Sequence, residues 1–197
     1  MHIEFLDDKN SRRDDAVDHI RAVYAQSFGA DLRQFAPLLV TARNATGDIL
    51  CAAGLRLHRD GFFSDVYVEG GFQDVLKRAD GQPVPLDQVM EVTTLASLTP
   101  FPVLGMLDAM IAWGRAEGMT CGVFTATRQL RRLLGRAGLS YTPLCAADPI
   151  CLPDASAWGG YYAREPWVCA CTDSAFAPIM LSPRTRAAGM VRHSEAS

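Results

Sequence analysis

Two strand-like runs, one helix apart, constrain this chain more than any other feature. They are Val89-Met90-Glu91-Val92-Thr93-Thr94-Leu95-Ala96-Ser97 and Cys121-Gly122-Val123-Phe124-Thr125-Ala126-Thr127, with an apolar helix between them. Strand, helix and strand at this spacing make a parallel pair with a right-handed crossover. A buried parallel strand reads almost purely apolar. Here Glu91, Thr93, Thr94 and Thr125 interrupt the pattern. A carboxylate in such a place needs a partner or a wet cleft. Ligands in such sheets gather beyond the carboxyl ends of the parallel strands, where Ser97 and Thr127 fall.

The flanking segments give this pair its setting. Residues 3–6 read as a strand and 14–28 as a helix. Val17, Ile20, Tyr24 and Phe28 share one face of that helix and Gly29 stops it. Residues 38–42 and 49–58 read as a hairpin around Asn44-Ala45-Thr46-Gly47-Asp48. Residues 60–88 are less regular, with a short helix expected near 74–78. The crossover helix, about 102–117, aligns Val103, Leu107, Met110 and Ile111, with Pro102 in its first turn and Gly118 at its end. A further helix from Thr127 buries Leu130, Leu133, Leu134 and Ala137. It turns Arg128, Arg131, Arg132 and Arg136 outward. Strands at 141–146 and 166–172 follow, with the aromatic turn Trp158-Gly159-Gly160-Tyr161-Tyr162 between them. The order predicts a mixed α/β fold (α+β in its pairing): a central mixed sheet with helices on both faces. It occupies one domain over 1–180, and 181–197 form a flexible polar tail.

The net charge of −3 exerts no general pull on nucleic acid or anionic membrane. No apolar run approaches the roughly 20 residues of a membrane helix. The start of the chain is charged rather than signal-like. A cytoplasmic location is the expectation. The six cysteines contain no C-x-x-C pair, and the four histidines are widely spaced. Buried free thiols are expected and no metal site. No nucleophile elbow or P-loop appears.

The order of elements resembles the GNAT-type acyltransferase fold and, within it, the acyl-homoserine-lactone (autoinducer) synthases. Gly54-Leu55-Arg56-Leu57 resembles their glycine–arginine strand. Arg21 falls where they carry an arginine, and Phe124-Thr125-Ala126-Thr127 with Leu130, Leu133, Leu134 and Gly138-Leu139 resembles their last strand–helix unit. The chain resembles the thermostable haemolysin family more closely. The matching pieces begin with Tyr24-Ala25-Gln26-Ser27-Phe28-Gly29-Ala30, Phe35-Ala36-Pro37-Leu38-Leu39 and Gly54-Leu55-Arg56. They continue with Glu91-Val92-Thr93-Thr94-Leu95-Ala96-Ser97, Val123-Phe124-Thr125-Ala126-Thr127, Ala146-Ala147-Asp148-Pro149 and Trp158-Gly159-Gly160-Tyr161-Tyr162. Two departures from the synthases stand out. Their acidic cluster before the hairpin, which helps hold S-adenosylmethionine, corresponds here to 30–35 with the single acid Asp31. The glycine-rich loop with which coenzyme A-dependent enzymes hold pyrophosphate corresponds to Leu98-Thr99-Pro100-Phe101-Pro102-Val103-Leu104-Gly105, whose prolines lack backbone donors.

The resemblance implies an N-acyltransferase that bears no permanent cofactor. It would move an acyl group from an acyl-carrier-protein or acyl-coenzyme A thioester to a small amine. Glu91 is the candidate base, with a salt bridge to Arg56 or Arg21 as its structural alternative. Thr93 and Ser97 are candidate catalytic groups, donating to the developing oxyanion. Strict alternation places Glu91, Thr93, Leu95 and Ser97 on one side and Val92, Thr94 and Ala96 on the other, unless a bulge intervenes. Arg21, Arg56, Thr94 and Thr125 are candidate substrate contacts. Tyr24, Phe28, Trp158, Tyr161 and Tyr162 are candidates for lining an acyl or aryl pocket. Thr127 and Arg128 are candidate contacts for a phosphopantetheine phosphate, Thr127 being otherwise a helix N-cap. The arginine stripe suits either solvent or an acidic carrier protein. Two other readings stand beside the enzyme: a membrane-active protein, as the haemolysin name implies, and a degenerate acyltransferase fold that only binds a ligand.

Overall fold

The computed structural model describes residues 1–172. The expected tail at 181–197 and the stretch 173–180 lie outside the described residues. The strands are β1 (His2–Leu6), β2 (Leu38–Arg43), β3 (Ile49–Leu57), β4 (Val89–Ala96), β5 (Cys121–Ala126), β6 (Thr142–Ala146) and β7 (Trp167–Thr172). They form one sheet in the order β1-β2-β3-β4-β5-β7-β6. The pair β4·β5 is parallel and every other neighbouring pair is antiparallel. Helix α1 (Arg13–Phe28) packs on one face. Helices α3 (Phe101–Ala116) and α4 (Arg128–Arg136) pack on the other. A single turn, α2 (Phe72–Val75), lies in the long β3–β4 connection, a few residues before the helix expected there. Its position follows from Phe72, which is almost fully buried and whose N–H donates to Asp65 Oδ1 at 2.6 Å.

The helices form where the apolar spacing requires them. Ala16, Ile20, Val23 and Tyr24 of α1 are buried. Gly29 ends the helix in the left-handed region at φ 65°, and its N–H closes on the Ala25 carbonyl at 2.9 Å. Leu130, Leu133, Leu134 and Ala137 join Val103, Met106, Met110 and Ile111 in the core beneath α3 and α4. All six cysteines are free thiols. Among the described residues no helix is long and apolar enough to cross a membrane, and no group of His, Cys, Asp and Glu could hold a metal ion.

Two irregularities in the central strands shape the site. The register of β3 on β4 runs evenly from Leu57↔Met90 to Gly54↔Thr93, after which Ala52 faces Ala96. One residue of β3, Ala53, thus stands opposite two of β4, Thr94 and Leu95, a β-bulge. Thr94 occupies it with φ 45°, rare for a β-branched residue. The bulge overturns the strict alternation expected beyond Thr93. Leu95 packs on the α3 side with Val92, and Ala96 on the α1 side. In addition, β4 and β5 pair only from Val89↔Cys121 to Val92↔Phe124. Beyond that point Thr93 and Ala96 stay on β3, while Thr125 and Ala126 stay on β7. The two parallel strands part at their carboxyl ends and leave a notch.

Candidate active site

A cavity of about 240 Å³ lies at this notch. Its strand wall is Val92, Thr93, Thr94 and Thr125. Tyr24, Phe63, Tyr67, Trp158 and Tyr161 supply an aromatic wall. The aromatic wall is assembled from three distant segments. Trp158 and Tyr161 have ring centroids 5.4 Å apart, Phe63 and Trp158 5.3 Å, and Tyr24 and Tyr161 6.1 Å. The turn carrying Trp158 and Tyr161 is clamped to the end of α1. Gly160 N–H donates to the Phe28 carbonyl at 2.7 Å, and Asp31 N–H to the Ala157 carbonyl at 2.7 Å. Tyr161 also donates to the Thr125 carbonyl at 3.3 Å, and the Tyr67 and Tyr162 hydroxyls share a 2.5 Å hydrogen bond. Burial pushes the Tyr162 phenol up to about 12.

Glu91 does not look into the cavity. Its side chain is 0% exposed and lies behind the wall. Its two oxygens accept the backbone N–H groups of Phe63 (2.6 Å) and Ser64 (2.8 Å). Neither expected arginine pairs with it. Burial raises its pKa above the ordinary carboxylic acid value; the Ser64 hydroxyl, the two amides and the charge of Arg56 oppose the rise without cancelling it. The Ser64 hydroxyl in turn shares a 2.7 Å hydrogen bond with Thr125 Oγ1. Ser64 and Thr125 both reach the cavity wall. Thr125 and Ser64 therefore stand between the cavity and the buried acid Glu91.

The glycine–arginine strand plays two parts. A Cβ on Gly54 would stand 2.5 Å from Thr93 Oγ1, 2.7 Å from Ala36 Cβ and 3.3 Å from Thr94 Oγ1. Only glycine lets the bulge lie this close. The Thr94 hydroxyl is buried, with no hydrogen-bond partner among the described residues. Arg56 lines the cavity and donates Nη1 to the carbonyls of Asp60 (3.1 Å) and Gly61 (3.3 Å).

The structure gathers some of the expected residues here and places others elsewhere. Tyr24, Arg56, Thr93, Thr94, Thr125, Trp158 and Tyr161 line the cavity; Phe28 and Tyr162 stand behind them in ring contact with Tyr161. Arg21 is off the wall. Its Nε donates to the Leu32 carbonyl at 3.3 Å and its guanidinium lies 5.1 Å over the Phe35 ring, so it braces the 30–35 segment. Ser97 is also off the wall, bonded to the carbonyls of Leu50 (3.2 Å) and Thr99 (2.7 Å). The extra residue in β4 carries it away from the face of Glu91. Thr127 caps α4, accepting from Leu130 N–H at 3.4 Å, and Arg128 is ion-paired with Glu165. Phe63, Ser64 and Tyr67 escape sequence reading because they sit in an irregular loop without periodicity. The one available signal is the apolar pair Phe62-Phe63 beside a serine.

Sheet order, bulge and parted strands define the class: a GNAT-like acyltransferase fold. Solved structures carry the same fold. TofI in an apo form has a TM-score of 0.63 at 16% identity, covering 93% of this chain and 99% of that one. MesI, a CoA-dependent acyl-homoserine lactone synthase, has a TM-score of 0.55 at 15% identity over 95% of both chains. FeeM, an N-acyl amino acid synthase from uncultured soil microbes, has a TM-score of 0.56 at 13% identity, covering 87% of this chain and 90% of that one. Within this class the chain belongs to the thermostable hemolysin family, whose profile matches residues 6–175. No curated protein matches it.

Proposed function

We propose that this protein is an N-acyltransferase that moves an acyl group from a thioester, on coenzyme A or a carrier protein, to a small amine. One observation carries the reading. At the parted strand ends an aromatic cavity meets Thr125, whose hydroxyl is bonded to that of Ser64, and the Ser64 hydroxyl acts on Glu91, a buried acid with a raised pKa. Two solved structures of the same fold, a CoA-dependent acyl-homoserine lactone synthase and an N-acyl amino acid synthase, support it.

In this reading the amine nitrogen attacks the thioester carbonyl carbon. The C–N bond forms, the tetrahedral intermediate collapses and the C–S bond breaks. The Thr94 hydroxyl, Thr93 and the backbone of the parted strands polarise the carbonyl oxygen. The proton lost by nitrogen passes to Thr125. The Thr125 and Ser64 protons shift along, and Glu91 receives the last. The proton held on Glu91 returns along the same groups to the departing thiolate, which leaves as the thiol. A buried acid with a raised pKa suits this exchange better than an exposed carboxylate, because its affinity for the proton is higher. Tyr24, Trp158 and Tyr161 would hold the acyl or aryl part of the substrates. A cytoplasmic setting, where both thioester donors occur, accompanies this reading.

The test is the pH dependence of amide formation, followed by thiol release with coenzyme A and carrier-protein thioesters. Wild type should show an acid limb with its midpoint above the ordinary carboxylate range. Glu91→Gln should lose that limb and about 10²- to 10⁴-fold in rate, the usual contribution of general base catalysis, while still binding the thioester. Full activity in Glu91→Gln would remove Glu91 as the base, and a wild type that binds the thioesters but turns none over would favour the reading in which the fold only binds a ligand.

A further inference from the structure

We infer that the amine acceptor carries a carboxylate and an uncharged, bulky side chain, an α-amino acid of the aromatic or large aliphatic kind, and that Arg56 is the residue that selects it. The inference rests on the acyltransferase reading for its reaction but on separate observations for its site.

Arg56 and Glu91 are direct cross-strand partners in the β3·β4 register. Opposite charges so placed ordinarily pair. Here they do not. Glu91 is taken by the Phe63 and Ser64 amides, and Arg56 is left with two carbonyls on Nη1 alone. No acid among the described residues forms an ion pair with Arg56. A half-buried guanidinium on a cavity wall without a counter-ion has donors to spare for an anion. The other charges facing the cavity do not supply one. Arg33 is paired with Asp31 at 2.8 Å, and Asp154 accepts the Ser156 hydroxyl at 2.7 Å.

Arg56 has Nε and Nη2 available, a planar pair that matches a carboxylate. On the same wall Thr125 begins the path to Glu91, where the amine has to lose its proton. Tyr24, Phe63 and Trp158 fill the remaining surface with rings. A small molecule with a carboxylate, an amine and an apolar body meets all three. The reaction balances as before: acyl thioester and amino acid give N-acyl amino acid and thiol.

L-Phenylalanine and 2-phenylethylamine differ by the carboxylate alone and make the matched test. With octanoyl-coenzyme A, and with the same acyl group on a carrier protein, kcat/KM for phenylalanine should exceed that for phenylethylamine by about ten- to hundredfold, the worth of a charge-assisted hydrogen-bonded pair. Arg56→Gln should bring the ratio close to one, and Arg56→Lys should keep part of it. Thermal melting of each variant shows that it is folded. Binding is read independently, without a thioester, as the rise in melting temperature with each amine. A rise with phenylalanine that disappears in Arg56→Gln, with no amide formed from any donor, sustains the carboxylate site and removes the acyltransferase reading. Equal use of the two amines by wild type overturns the inference and leaves that reading standing. So does a wild-type preference that Arg56→Gln preserves. A failure of phenylalanine both to bind and to react also overturns it.

Discussion

At the scale of single residues, the site depends on a position with no side chain. Gly54 lets Thr93, Thr94 and Ala36 crowd its α-carbon. A threonine hydroxyl could swing away from an added methyl; the Cβ of Ala36 cannot move without its backbone. Gly54→Ala should therefore cost about 1–3 kcal/mol, as overpacking does, and disturb the bulge above it. Urea denaturation checks the cost, and thioester turnover should fall with it. Glu91 shows the reverse relation, a residue visible in sequence whose surroundings were not. Its interruption of an apolar strand marked it as needing a partner. The partners are two amides from a loop 28 and 27 residues away. No periodicity in residues 60–88 announces that the loop folds back over β4.

At the scale of elements, the aromatic wall depends on one turn seated on one helix end. Gly159 has φ 53°, and a Cβ there would run into the Phe28 carbonyl oxygen and lie 2.7 Å from that of Gly29. Both are backbone atoms and cannot rotate aside. Gly159→Ala should cost about 2 kcal/mol or more through clash and backbone strain. That corresponds to a fall of about 4–8 °C in melting temperature for a chain of this size. Trp158 should move toward solvent, and acrylamide quenching of tryptophan fluorescence checks this. The sequence marked this turn as tight by its paired glycines. What the turn approaches, the carbonyl end of α1, emerges only when residues 28 and 159 are brought together. The bulge in β4 is an element-level event of the same kind. The sequence left room for a bulge, but that one exists and which residue is extra are decided by the β3 register.

At the scale of the whole molecule, the buried acid links the site to stability. The pKa of Glu91 in the fold lies above its ordinary value of 4.5. The folded protein therefore holds this proton to higher pH than the unfolded chain does. Stability contributed by the protonated form is fully present below pH 4.5, declines as pH rises, and levels off above the folded pKa. Urea midpoints across that range should show the wild type losing stability relative to Glu91→Gln as pH rises. The variant is less stable throughout, because its NH2 group, a donor, replaces one of the two oxygens that accept the Phe63 and Ser64 N–H groups. A parallel curve for the two proteins would show that the acid ionises alike in both states.

The amino-acid sequence alone determined the kinds and order of the elements and the faces they bury. Apolar spacing and the residues that end helices and strands are local properties, and they placed α1, the β2–β3 hairpin, β4, α3, β5 and α4 to within a residue or two. It also singled out Glu91, Arg56 and the threonines, because polar groups in apolar strands stand out locally. Only the tertiary structure decided which groups meet across the sheet and through the loops: that the acid turns to two amides, that the arginine keeps donors to spare, that Ser97 and Arg21 lie off the cavity. Those outcomes depend on contacts between residues far apart in the chain and on one extra residue in β4, and neither leaves a periodic trace along the sequence.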